Sequence, residues 1–371
     1  MARNLEARLD VLEAQKVTIL DRRQIYLDEA IDLSRIRAGA ILYPGTRLIG
    51  AGTFVARGAK IGLEGPAVLE NTVVGENVEV ASGYLKDSVM LRDARVGSNA
   101  HLRVGTLLEE EASTGHAVGL KHTVLMSFVT LGSLINFCDG LISGGRSRKE
   151  HTEIGSGFIH FNYTPRGRTG DKATPSLVGD VPHGAFLRQP RIFLGGLSGM
   201  VGPQKVGFGS FTLAGQVIRR EVPPNRIVGD TARNIDKEFH ALNQFPSRIV
   251  NLNLEYIGQL AALRAWYCHV RLARIPAYSE CDGLRIVTQA ATDLLSVSID
   301  ERVQRLRQFL EERGLAIPSF PSRVPPCPFR IEPSNPYVDH VDWVSRLSDA
   351  EVQGGVSWLQ EIVERYDRNS H

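Results

Sequence analysis

Between Leu102 and Tyr163 the chain gathers, at regular intervals, side chains suited to holding an anion or moving a proton. Arg103, Lys121, His116, His122, His151, His160 and Asn162 recur there between short apolar-led steps. Their intervals let neighbouring turns of a repeating backbone stack them together. Arginine offers a planar fork of donors and lysine a compact point charge, which suit phosphate oxygens. Histidine is the usual general base near neutral pH. Whatever the protein binds is expected to bind at this block.

The elements that must position these residues follow from the beat around them. From about Ile36 to Val217, successive steps begin with an aliphatic residue and turn on a small one, as in LYPGTR, LIGAGT, VGENVE, VGSNAH, LRVGTL, IGSGFI and VGFGSF. A sustained period of about six residues is the signature of a parallel β-helix of hexapeptide repeats. Each step supplies a short strand and a turn, and three steps make a coil. The leading aliphatic residue points into the column, while glycine and small residues turn corners where a Cβ would clash or φ must be positive. Each coil buries its apolar face only against the coils above and below. A sandwich is disfavoured, because its strands are punctuated at roughly 8–12 residues.

The beat fails at about 138–153 and 163–175, where CDGLISGGRSRKEHTE and YTPRGRTGDKATP read as loops thrown out from one face. Both combine glycine with Arg and Lys and read as anion-binding loops or, without a ligand, as solvated basic ones.

The expected organisation is a mainly β chain. An N-terminal helix with lead-in strands occupies 1–35, a parallel β-helix 36–222, a helical region 223–315, and a Pro-rich linker with a last helix 316–371. Ser298 reads as a helix N-cap and Gly314 as a stop. The apolar stripe of 347–366 reads as core or a subunit-docking surface.

Composition narrows the function classes. The chain has 371 residues, a formal net charge of +2 and 23% charged residues, so no basic excess points to nucleic acid. Its four cysteines form no CxxC pair, which argues against a zinc ribbon or disulfide scaffold and for reduced thiols in the cytoplasm. No metal site is expected. The N-terminus lacks an apolar signal region and no run is long enough to span a membrane, so a membrane role is not expected.

Residues 36–222 resemble the acetyltransferase domain of the bifunctional bacterial enzyme that acetylates glucosamine 1-phosphate and then uridylylates it. The matching stretches are LRVGTLLEEEASTGHAVGLK, IGSGFIHFNYTPRG and IFLGGLSGMVGPQKVGFGSFTLAGQVIRREV. The resemblance implies a left-handed β-helix, a homotrimer, an acyl-CoA donor such as acetyl-CoA, and a sugar phosphate or nucleotide sugar (UDP-N-acetylglucosamine-like) as ligand. The Gly-rich nucleotide loop of that enzyme's other domain does not occur here, so no pyrophosphorylase activity is expected.

Carried over by position, Arg103 and Lys121 match the sugar-phosphate contacts. Asn162 and Tyr163 match the pair beside the acceptor, and Lys172 the lysine beyond it. Ser156, Gly196 and Ala214 match small positions along which the pantetheine of coenzyme A lies, although Gly196 replaces a serine. The departures fall on the chemistry itself. Ser133 stands where the family has its general-base histidine, Gly119 where it has the supporting glutamate, Asn136 for a substrate tyrosine and Glu153 for a substrate asparagine. Serine alone is no base at neutral pH, so another histidine is required: His151 first, carried by the inserted loop, then His116 and His122, which flank Lys121. Cys138 beside Asp139 is not expected to be a nucleophile. Three functions therefore stand: a hexapeptide-type acyltransferase, a nucleotide-sugar-binding or scaffolding protein that has lost the general base, or a different reaction on a similar ligand run by the inserted loops 138–153 and 163–175.

Overall fold

The computed structural model describes residues 2–161, 175–229, 248–321, 323–333 and 337–367. Its repeat forms a parallel β-solenoid, consistent with the expected left-handed β-helix. The first face is an eleven-stranded parallel ladder that runs from Thr18–Ile19 to Ile227–Val228. The second and third faces belong to one continuous sheet, because Gly119–Leu125 and Asn136–Ile142 bend around the corner between them. The ladder outruns the 36–222 span expected. Thr18–Ile19 and Tyr26–Leu27 already pair with Ile41–Leu42 and Arg47–Ile49, and Ile25, Leu27 and Ile31 are buried beneath the coil that follows. Helix α1 (Ala2–Ala14) closes that end with Leu9 and Leu12 fully buried.

Inside the prism the apolar residues stack in register. Leu85 pairs with Leu102, Leu102 with Leu120, and Leu120 with Phe137, all fully buried. His160 continues the column, its ring stacked on Phe137 with centroids 4.5 Å apart. Between the second and third faces the corners are turned at Gly105, His122 and Asp139, with φ of 76°, 47° and 59°. Asn, Asp and His are the non-glycine residues most often found in the left-handed region.

The first insertion departs less than expected. Residues 138–142 stay in the sheet, and the excursion is a short antiparallel hairpin, Gly145–Ser147 against Glu150–His151. The second insertion, 163–175, lies outside the described residues except for Pro175.

The third face is apolar on both sides. Val73-Val74, Val89-Met90, Leu107-Leu108, Val124-Leu125, Leu141-Ile142 and Leu177-Val178 each send one residue into the prism and one outward. A sheet buried on both faces reads as continuous apolar runs. The outward set is covered by a helical layer: the single turn α2 (Val181–Gly184), α3 (Arg248–Trp266), α4 (Asp282–Glu311), α5 (His340–Ser345) and α6 (Asp349–Asp367). Ser298, expected as an N-cap, sits inside α4, which runs unbroken because Leu294, Leu295 and Arg302 are all buried along it. Gly314 follows the helix end with φ 63°, as a stop should. Among the described residues no helix is long and apolar enough to cross a membrane, and no cluster of His, Cys, Asp and Glu could hold a metal ion.

Two outcomes follow from the interior column. Phe137→Ala removes a ring packed between Phe158 and His160 and is expected to cost about 3–5 kcal/mol, read from the urea midpoint. Burial pushes the His160 ring down to about 4. The unfolded chain takes up that proton near the ordinary 6.5, before the folded one does. Stability is therefore full above about pH 6.5 and falls by about 3 kcal/mol as pH drops towards 4. Its ring resonances should titrate near pH 4, and His160→Gln should flatten that part of the stability profile.

Candidate functional site

Along the second face the sequence reads polar–apolar–polar: His101-Leu102-Arg103, Gly119-Leu120-Lys121, Asn136-Phe137-Cys138. With a strand period of two, burying the middle residue turns both neighbours outward. The Arg103 amide donates to the Leu120 carbonyl at 2.9 Å, and Lys121 pairs with Cys138 across the ladder, so Arg103, Lys121 and Cys138 form one outward file.

Arg103 Nη2 lies 3.2 Å from Cys138 Sγ, and its buried Nε has no partner. Among the described residues Lys121 Nζ has no hydrogen bond or ion pair, so neither cation is matched by a carboxylate. Buried or half-buried cations are ordinarily paired, so an adjacent pair unmatched among the described residues is a candidate anion site. Burial pushes the Cys138 thiol up, while Arg103 pulls it back. Beside this file run Tyr84, His101, Gly119 and Asn136. A Cβ at Gly119 would meet only Asn136 Oδ1, at 3.6 Å, so the floor there is open.

The other edge of the same face is the corner that carries His116, Ser133, Ser156, Gly196 and Ala214. Their coils stack through corner hydrogen bonds: Leu134 N to His116 O at 2.9 Å, Gly157 N to Ser133 O at 2.8 Å, Leu197 N to Ser156 O at 2.7 Å and Gly215 N to Gly196 O at 3.0 Å. His116 Nδ1 and Ser133 Oγ are 2.7 Å apart, and the Ser133 amide donates to Ser156 Oγ at 3.0 Å. The spacing leaves no room for side chains one residue earlier. A Cβ on Gly115 would lie 2.6 Å from Ser133 Oγ, and one on Gly132 2.6 Å from Ser156 N. The three residues expected to lie along coenzyme A thus share one exposed column with His116 and Ser133.

The remaining histidines are elsewhere. His151 lies on the hairpin at the corner between the third and first faces. There its Nδ1 is 3.0 Å from Arg148 O and its Nε2 3.5 Å from Glu153. Within one chain it does not join Arg103 and Lys121. The reason is that the loop folds back on its own base instead of over the second face.

His122 does follow Lys121, but its ring turns under the helical layer, 7% exposed, where burial lowers its pKa. Its Nε2 is 3.9 Å from Glu301, and its carbonyl accepts from the Tyr256 hydroxyl at 3.3 Å. His160 is interior, with Nδ1 2.5 Å from Cys138 O and Nε2 2.8 Å from Ser176 Oγ. Of the three histidines expected as bases, His116 alone contacts the position of the missing one. Asn162, Tyr163 and Lys172 lie outside the described residues. Sequence reading missed the pairing of His116 with Ser133. The available signal was that both occupy the same place in successive coils, two residues after the strands Ser113–Thr114 and Thr130–Leu131.

No family model matches the chain. The Bifunctional protein GlmU of Clavibacter sepedonicus is 32% identical over 211 residues, covering 57% of this chain and 37% of that protein. The Micrococcus luteus protein of the same name is 32% identical over 207 residues, covering 56% and 36%. That of Thermotoga petrophila is 28% identical over 231 residues, covering 62% and 46%. The chain spans less than half the length of these curated relatives. Over somewhat more than half its own length, then, it is similar in sequence to a part of Bifunctional protein GlmU, the resemblance to which its repeat and its Arg103 and Lys121 motifs point.

Proposed function

We propose that this chain is an acyltransferase that moves an acyl group from acyl-CoA, acetyl-CoA among them, to an amino or hydroxyl group of a sugar phosphate or nucleotide sugar. The observation that carries this reading is the shared face. Arg103 and Lys121, without carboxylate partners among the described residues, stand at one edge, and the His116–Ser133 pair stands at the other with Ser156, Gly196 and Ala214. The phosphate binds the two cations, and the acceptor nitrogen or oxygen lies towards Ser133. Its lone pair attacks the thioester carbonyl carbon, the C–S bond breaks, and the sulfur leaves with its electrons as the CoA thiolate. The acceptor's proton passes to Ser133 Oγ as the serine proton passes to His116 Nδ1. Serine thus relays what it cannot itself retain, and the basic group sits one coil below. The corner also carries exposed Leu134 and Leu197, 59% and 82% accessible, which a second and third copy of the chain would cover in a homotrimer.

The second reading, a sugar-phosphate or nucleotide-sugar binder without transfer, is favoured by Ser133 standing in place of a histidine. Acetyl-CoA consumption over a panel of amino-sugar phosphates separates the two, because a binder gives a thermal shift without thiol release. Under the transferase reading Lys121→Ala should lower kcat/KM at least tenfold through KM. His116→Gln should lower kcat by about 10²–10⁴-fold at constant acceptor KM. Full activity in His116→Gln would remove the proposed base. Sedimentation at micromolar concentration should give three times the chain mass, and a monomer would refute the trimer.

A further inference from the structure

Directly behind the cation file lies a layer of buried polar contacts that the proposed chemistry does not use. Arg103, Lys121 and Cys138 are each followed, within two residues, by a corner of the column Gly105, His122 and Asp139; helical side chains bond to the last two corners, and Ser298 packs over the first without a hydrogen bond. Over Gly105, where a Cβ would lie 2.4 Å from His122 Nδ1, it would also lie 3.2 Å from Ser298 Oγ of α4. Glu301 Oε1 is 3.9 Å from His122 Nε2, and the Tyr256 hydroxyl of α3 holds the His122 carbonyl. Arg302, 1% exposed, places Nη2 3.1 Å from Asp139 Oδ1 and forks onto Glu301 at 2.7 and 3.1 Å. Burial alone would raise Glu301, but Arg302 and Arg305 outweigh it and hold the carboxylate at about 2, so the fork stays charged.

Docking does not require these charges. Val89, Leu107 and Val124 attach the same helical layer through apolar contact, and replacing a buried ion pair by apolar groups is often neutral or stabilising. What the ion pair adds is direction, since a fork between two carboxylates fixes both the corner and the helix. We propose that Arg302, with Glu301 and Ser298, is a positioning residue for the anion site, setting the angle at which Arg103, Lys121 and Cys138 leave the second face. The inference rests on the acceptor reading above for its ligand but not for its geometry.

The test uses the full chain with Arg302→Lys and, separately, Ser298→Ala combined with Glu301→Gln, which leaves the Arg302–Asp139 pair in place. Two quantities are measured: the Kd for glucosamine 1-phosphate by calorimetry, and the iodoacetamide alkylation rate of Cys138 by peptide mass mapping. Cys268 and Cys327 serve as internal controls. Folded variants should bind at least fivefold more weakly and alkylate Cys138 at a rate changed at least threefold, with both controls unchanged. Folded variants with the wild-type Cys138 rate overturn the proposal, as does failure of both variants to fold, which would mark the contact as structural alone. If the wild-type chain binds no glucosamine 1-phosphate, the acceptor reading falls while the Cys138 rate still decides the positioning.

Discussion

The in-register stacking of buried apolar residues from coil to coil is the constraint on which the rest depends. Leu85, Leu102, Leu120 and Phe137 sit one above another because each coil has no other surface against which to bury its aliphatic residue. Once that column is fixed, Arg103, Lys121 and Cys138 must project in a file on the outside. A slip of one residue would drive cations into the prism. The file of Arg103, Lys121 and Cys138 is therefore a by-product of core register.

The three faces serve different ends. The third buries its outer side under α3 and α4. The helical layer is not held by apolar contact alone. Arg271 reaches Glu110 at 2.7 and 3.1 Å, the Tyr267 hydroxyl donates to Glu109, and Arg302 reaches Asp139, all in buried surroundings. Buried charges of this kind are costly unless well paired, so they bind the helices at one place and one angle. Two of the corners so gripped, His122 and Asp139, immediately follow Lys121 and Cys138.

On the second face the chemistry divides between two edges. The cation file lies next to the helix-backed corner, while the exposed corner opposite carries His116, Ser133 and the small residues above them. An acceptor held by its phosphate at one edge would present its nucleophile towards the other. Ser133 meets His116 of the coil below at 2.7 Å, because stacked strands in a solenoid lie about 4.8 Å apart, within reach of a hydrogen bond between side chains at the same place in successive coils.

The sequence by itself determined the repeat, the solenoid and the outward placement of Arg103 and Lys121. A period of about six and a polar–apolar–polar triplet are local patterns whose physical meaning does not depend on distant contacts. That the doublets Val73-Val74 through Leu177-Val178 form a face buried on both sides emerged only from the packed helices that cover it. Tertiary structure alone decided which histidine meets Ser133. His116, His122 and His151 are alike in sequence, and their roles depend on which corner each occupies and what packs on that corner. His122 went under α4, and His151 folded onto its own hairpin. The grip of Arg302 on Asp139 was likewise beyond sequence, since it joins residues from two layers whose docking is set by the whole apolar third face.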